Sequence, residues 1–330
     1  MTAIPFSRET LNALSGKVVV LTGGAQGVGA ATVQLVYEAG AHVFFGDWAD
    51  DKGRSLAASV QKDVKSVGSG SVTFQKVDVR EYASQLALFD AAYKAHGRVD
   101  VAVSCAAVSE PAGFFEPENL DLESVKQVST TITTPLANIG MASTCLTQRP
   151  QEPTELRSRL DINLTSVLLF SRMALAYMKA SPQDGTSRSM VLVSSIAGIT
   201  EAPGLFAYST AKHGVIGLMR ALRPYAPRRY GVRVNAICPW ATDTQLLAGV
   251  VDTWVQEALP LNQPSDVAGL ILQCAADATL NGKAVLVAGG TGYDTEEGYD
   301  KTQAQWMGEQ LSAEFNRGQR VLGLGDGWTN

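Results

Sequence analysis

The sequence predicts an α/β protein built on a single doubly wound parallel sheet flanked by helices. Three observations carry this. Short apolar, β-branched runs alternate with segments of helical period, the pattern of βαβ units with right-handed crossovers. The strand runs are continuously apolar rather than alternating, as in a parallel sheet covered on both faces. A glycine-rich turn joins the first such strand to the first helix.

Each element follows in order along the chain. Lys17–Thr22 reads as a strand, Ala30–Ala39 as a helix closed by Gly40, and Ala41–Gly46 as a second strand. Helix Asp51–Val60 and a turn at Gly68–Gly70 lead to strand Val72–Val77. Helix Ala83–His96 and strand Val99–Ala106 come next. Further on lie a long helix within Pro153–Ala180, strand Met190–Ser194, helix Tyr208–Leu222 and strand Val232–Ile237. Helix Ser265–Asp277 and strand Ala284–Ala288 complete the pattern. One domain over residues 1–292, followed by an extension over 293–330, accounts for the 330 residues.

Composition narrows the function classes. The net charge is −5, with 45% apolar and 18% charged residues. A mildly acidic chain has no electrostatic reason to seek nucleic acid. The longest uninterrupted apolar run is Met173–Met178, far short of the roughly 20 residues of a spanning helix. Residues 1–16 carry no signal-peptide pattern. These features predict a soluble, cytoplasmic protein without a membrane partner. Cys105, Cys145, Cys238 and Cys274 are dispersed and read as reduced thiols. With His42, His96 and His213 the only histidines, no metal site or histidine triad is expected.

The turn Thr22-Gly23-Gly24-Ala25-Gln26-Gly27-Val28-Gly29 sits between strand and helix, where backbone N–H groups meet a pyrophosphate. Gly23 permits the tight turn, Gly27 the close backbone approach, and Gly29 helix–strand packing, the Rossmann-type arrangement. Gln26 and Val28 complete that lining. Asp47 ends the second strand, where a carboxylate accepts from adenosine ribose hydroxyls and repels a 2′-phosphate. Trp48 follows where a phosphate-binding arginine would stand, so the sequence favours NAD over NADP. Asp78 and Val79, after the third strand, are candidates for the adenine edge, with a plain strand-end cap as the other reading.

Tyr208-Ser209-Thr210-Ala211-Lys212 places a phenol and an ammonium one helical turn apart. The lysine charge favours the phenolate, which suits Tyr208 to acid/base work on an alcohol or ketone. Ser195 ends the strand 13 residues upstream, and Asn163 lies on the preceding long helix. With these residues the chain resembles the short-chain dehydrogenase/reductase family over roughly 17–290. The resemblance implies Tyr208 as acid/base and Lys212 as the residue that lowers its pKa and binds the nicotinamide ribose. It further implies Ser195 polarising the substrate oxygen and Asn163 holding a relay water. Thr244 falls where members contact the nicotinamide carboxamide. Residues 220–225, 234–240 and 305–309 are similar to a fungal branch containing hydroxyprostaglandin and hydroxyaverantin dehydrogenases. That likeness implies oxidation of secondary alcohols, or the reverse, on polyketides, terpenoids and related metabolites. It also implies a homodimer or homotetramer built through the long helices.

The sequence departs from the family in places. The fourth strand ends Ser104-Cys105-Ala106-Ala107 where members carry Asn-Asn-Ala-Gly, and Trp240 follows Pro239 where members carry glycine. Trp240 is therefore expected to narrow the nicotinamide end of the pocket. In Gln245–Asn262, Leu246, Val250 and Trp254 recur at helical spacing. They read either as an amphipathic helix packed on the domain or as an apolar lid over a bulky, uncharged substrate. Trp306 and Leu311 in the extension are expected to pack on a neighbouring subunit or on the lid.

Residues 107–163 form an unusually long connection. Its surplus, Val128–Gln148, is rich in Thr and Ser and free of charge. Two readings stand for these 21 residues: an inserted surface flap, or an in-frame intron translated in the gene model. Gln127-Val128-Ser129 is compatible with donor-like codons, and Gln148 with an acceptor. For function, the sequence points to an NAD(P)-dependent dehydrogenase acting on CH–OH groups. A non-redox isomerase or cyclase on the same fold, or a cofactor-binding scaffold with an idle site, are the alternatives.

Overall fold

The computed structural model describes residues 1–63, 70–110 and 153–323. The stretch Val128–Gln148, with its two readings, lies outside the described residues, as does Cys145. One nine-stranded sheet runs through the molecule in the order β1-β9-β8-β7-β6-β5-β2-β3-β4. Its central strands are β2 (Val18–Thr22), β3 (His42–Asp47), β4 (Ser71–Lys76), β5 (Val101–Ser104), β6 (Arg188–Val193), β7 (Val232–Pro239) and β8 (Ala284–Ala288), all parallel. Side chains alternate between the faces. Val19 and Leu21 therefore pack on the side of α1 (Gly27–Glu38), while Val18 and Val20 pack among Leu88, Phe89 and Phe170 on the other. Burial on both faces is why these strands read as unbroken apolar runs.

The second face is covered by α3 (Tyr82–His96), α5 (Ser166–Ala180) and α6 (Phe206–Tyr230). The first face carries α1 and α8 (Pro264–Ala276). Helix α2 (Asp50–Asp63) packs along β4. Chain order reverses direction between β2 and β5, so a crevice opens at their carboxyl ends.

The parallel sheet read from the sequence is extended at one edge by two further strands: β9 (Thr291–Asp294) runs antiparallel to β8, and β1 (Thr2–Ile4) antiparallel to β9. The expected domain limit at 292 thus falls inside a strand. Past it, Asp294 caps α9 (Thr295–Met307), and the buried Glu296 is gripped by Arg220 and Arg223 of α6. The extension is bolted to the domain by that ion cluster and continues as α10 (Glu309–Leu322).

The helix expected to stop at Leu222 runs on to Tyr230 through Pro224 and Pro227. Each proline removes one backbone donor, yet Ala226 and Tyr230 pack against the sheet and hold the helical course. The helix expected over Pro153–Ala180 is interrupted. Between α4 (Pro153–Leu160) and α5, residues Asp161–Thr165 form a widened π turn in which the Ser166 N–H reaches back to Asp161 O.

Candidate active site

A cavity of about 830 Å³ opens at the switch point, lined from β2, β3, β5, β6, β7 and the start of α6. At one end is the glycine turn. Gly23 donates from its N–H to Gly46 O at 2.8 Å, and a Cβ on it would lie 2.5 Å from the Ala106 backbone. A Cβ on Gly29 would fall 1.8 Å from Gly23 O. Only glycine closes this turn, which leaves the first N–H groups of α1 facing the cavity without side chains in the way. That cradle fits a dinucleotide pyrophosphate. Gln26, Gly27, Val28 and Thr244 line it as well, and the Thr244 methyl would stand 3.3 Å from a Cβ at Gly27.

Asp47 sits at the end of β3. Its carboxylate accepts from Ala25 N–H and Ala49 N–H, both at 2.9 Å, which fixes it at the cavity edge. Trp48 is exposed beside it, with the Lys76 ammonium 4.8 Å from its ring centre. Lys52 donates to Gln26 Oε1 at 2.7 Å, so a cation from α2 borders a turn that itself carries none. Val79 lines the wall, and Asp78 does so with its carboxylate already engaged. The Arg80 guanidinium donates from Nε to both Asp78 oxygens and from Nη2 to Asp78 Oδ2, at 2.6–3.2 Å. That pairing holds the Asp78 carboxyl below its usual range. An adenine amino group would compete with an ion pair there.

At the other end, Ser195, Tyr208 and Lys212 converge. Ser195 leaves β6 in extended conformation and its Oγ accepts from Ala197 N–H at 3.2 Å. Tyr208 stands in the first turn of α6, with Ser195 acting on its hydroxyl from the end of β6. Lys212 is only 1% exposed and its ammonium donates to Val193 O at 3.0 Å, lying 5.5 Å from the Tyr208 ring centre. Helix α6 is held close to this strand because Gly198 carries no side chain: a Cβ there would lie 2.6 Å from Lys212 O. Burial lowers the Lys212 ammonium to about 8, since desolvation penalises the charge. Burial also raises the Tyr208 phenol above its ordinary value, with the Ser195 hydrogen bond pulling down. Cys105 lines the same wall with its thiol pushed up to about 11 by burial, which leaves it protonated and inert.

Asn163 is brought near but not into the cavity lining. It lies in the π turn, buried, with its amide donating to Val108 O at 2.9 Å and its carbonyl accepting from Val108 N–H at 3.0 Å. Its side chain is thus committed to bracing the chain after β5.

The substrate end is walled by Leu205, Trp240, Leu246, Leu247 and Trp254. Trp240 and Trp254 meet edge to face, ring centres 5.3 Å apart, and Trp254 donates from its indole to Pro260 O. Val250 is corrected: it is exposed and absent from this wall. Of the helix that was one reading of Gln245–Asn262, only α7 (Val251–Gln256) forms, because Leu247 and Val250 make i to i−3 turn bonds that break the helical repeat.

Sequence reasoning missed Glu110. Its carboxylate accepts from Ala207 N–H at 3.1 Å and Tyr208 N–H at 2.7 Å, capping the first turn of α6 from across the cavity. The N-cap residue, Leu205, has no acceptor of its own. An apolar residue before an aromatic-rich helix start was the available hint that a distant carboxylate supplies the cap.

Comparison with known proteins gives a consistent result. A family model described as short chain dehydrogenase matches residues 17–139 and 122–254. The short-chain dehydrogenase/reductase ascJ of Acremonium egyptiacum is 31% identical over 302 residues, covering 90% of this chain and 86% of that protein. The 5'-hydroxyaverantin dehydrogenase of Dothistroma septosporum is 28% identical, covering 91% and 92%. The solved structure of a short-chain type dehydrogenase/reductase from Mycobacterium ulcerans superposes with TM-score 0.65 at 22% identity, over 84% of this chain and 90% of that one.

Proposed function

The chain belongs to the short-chain dehydrogenase family, and from that premise we propose that it is an NAD-dependent oxidoreductase interconverting a secondary alcohol and a ketone on a bulky, largely apolar small molecule. The observation that carries this reading is the convergence of Ser195, Tyr208 and Lys212 on one wall of a cavity whose far end is the glycine cradle. When bound, the nicotinamide dinucleotide supplies or accepts the hydride. The chain's own residues do the rest. Ser195 orients the substrate oxygen toward Tyr208. The Tyr208 hydroxyl gives its proton to a carbonyl oxygen or takes one from an alcohol. Lys212 holds a positive charge behind the ring, where low dielectric makes it count. Asp47 supports NAD over NADP, since a 2′-phosphate would meet a carboxylate fixed by two backbone donors.

The substrate class follows from the wall. Among the described lining residues the cations are Arg80, committed to Asp78, and Lys212. An anionic substrate therefore finds no clamp beside Trp240 and Trp254, while an apolar ring system finds two indoles. Likeness to the 5'-hydroxyaverantin dehydrogenase supports a polyketide or terpenoid of secondary metabolism. A homodimer or homotetramer accords with the family.

A panel of hydroxylated polyketides and terpenoids, followed by nicotinamide absorbance, tests the proposal. Turnover is expected to produce a net absorbance change, which an isomerase or cyclase would not. Tyr208→Phe is expected to abolish it while NAD binding, read by fluorescence, persists. Substantial turnover in that variant would overturn the assignment.

A further inference from the structure

Among the described residues, the substrate end of the cavity holds one charged side chain that the reaction does not use, Glu110. Asp47, Asp78 and Arg80 line the end of the glycine turn, and the Lys212 ammonium is turned to Val193 O behind the Tyr208 ring. Glu110 is fixed from two sides. Two residues before it, both backbone groups of Val108 are held by the Asn163 amide. Its own Oε1 accepts from Ala207 N–H at 3.1 Å and its Oε2 from Tyr208 N–H at 2.7 Å. A carboxylate offers about four acceptor positions on its two oxygens. Each oxygen of Glu110 therefore keeps a lone pair beyond these bonds, on a half-buried residue that lines the cavity.

The distance to the chemistry is bounded by one residue. Glu110 holds the Tyr208 N–H, and the Tyr208 hydroxyl handles the reacting oxygen. The two are separated by no more than one tyrosine plus one hydrogen bond, a span that two fused rings cover. Leu205, Leu246 and the two indoles make the surroundings apolar. An acceptor-only anion in such surroundings favours a ligand group that donates to it and opposes a second anion. The reacting oxygen is taken by Ser195 and Tyr208, so the donor is a second group. We propose that Glu110 determines specificity: it accepts a hydrogen bond from a second hydroxyl of the substrate, carried on the ring system away from the reacting carbon, and turns away a carboxylate at the same place. This rests on the dehydrogenase reading of the cavity and narrows its substrates from bulky apolar molecules to hydroxylated ring systems.

Binding of α-tetralones to the full chain with saturating NAD tests it by calorimetry; a ketone and NAD do not react, so affinity is read without turnover. Isomers with one ring hydroxyl at each free aromatic position are compared with α-tetralone, with the matching methoxy compounds, which keep the oxygen and lose the donor, and with the matching carboxylic acids. At one position or more the hydroxyl isomer is expected to bind at least about tenfold tighter than its methoxy partner, and the acid weaker than either. In Glu110→Gln that ratio should fall severalfold, because a neutral amide accepts more weakly, and in Glu110→Ala to about one, with the acid gaining affinity in both. A role confined to capping α6 predicts otherwise: both members of a pair weaken alike and their ratio stays. No hydroxyl preference at any position, or a preference that both variants retain, would overturn the proposal. Reduction of the same ketones by NADH separates the two readings. Selective binding without turnover counts against the dehydrogenase reading, and turnover without selectivity counts against Glu110.

Discussion

Replacing Lys212 by methionine should make the protein more stable and less active, and the gain should fade as pH rises. Lys212 keeps an ammonium in the core with one protein acceptor, Val193 O. Its pKa falls from an ordinary 10.5 to about 8, the first cause being desolvation. At about 1.4 kcal/mol per unit that drop corresponds to about 3 kcal/mol of lost stability at neutral pH. Methionine fills similar volume without the charge, and forgoes about 1 kcal/mol for the Val193 carbonyl hydrogen bond. The net gain at pH 7 is then about 2 kcal/mol.

The sign of the pH dependence is fixed. Between pH 8 and 10.5 the unfolded chain binds more protons at this lysine than the folded one does. The unaltered protein therefore gains stability across that window, and the methionine variant does not. Its advantage should shrink by about 2 kcal/mol between pH 7 and pH 9.5. The raised pKa of Tyr208 acts in the opposite sense, but only above its ordinary 10. Urea denaturation of both proteins, without added nucleotide, at pH 7, 8, 9 and 9.5 measures the difference. A difference that stays flat or widens with pH would refute the buried, destabilising cation.

Two other outcomes are expected. Glu110→Ala removes both acceptors at the start of α6 and should lower kcat about tenfold, the effect of about 1.4 kcal/mol in positioning Tyr208, while Glu110→Gln, which keeps an acceptor, restores most of it. An unchanged kcat in the alanine variant would show that the cap is irrelevant to turnover. Asp47→Asn, which keeps one acceptor for the turn amides, should raise the ratio of NADP to NAD kcat/KM at least about tenfold, because a carboxylate near a 2′-phosphate costs more than 1 kcal/mol at effective dielectric constants near 20. A ratio that does not move would locate cofactor choice elsewhere, with Lys52 and Lys76 the first places to look.

What was legible in the sequence is what local chemistry dictates. The glycine turn, Asp47 at a strand end and the Tyr208–Lys212 spacing each depend on residues within one or two turns of one another. Features that arise from distant partners were not legible. Strand β1 is three residues long and exists because the edge of β9 is there to pair with it. Glu110 lies 98 positions from Tyr208 in the chain. The passage of α6 through Pro224 and Pro227 is decided by the sheet beneath it. Asn163 was found by resemblance, but its exhausted side chain is visible only with Val108 in place.

The π turn at Asp161–Thr165 has an implication for how this chain can change. One extra residue in a helical turn rotates everything after it, so the inward face before the turn and the inward face after it obey different phases. Here that offset lets Asn163 reach Val108 while Phe170, Met173 and Met178 still face the sheet. Loss of one residue between 160 and 166 would restore a regular helix and turn either the brace or the apolar stripe to the wrong side. Insertions and deletions are tolerated in loops and usually fatal in helices. In this helix the length itself, counted to the single residue, is part of the site's design.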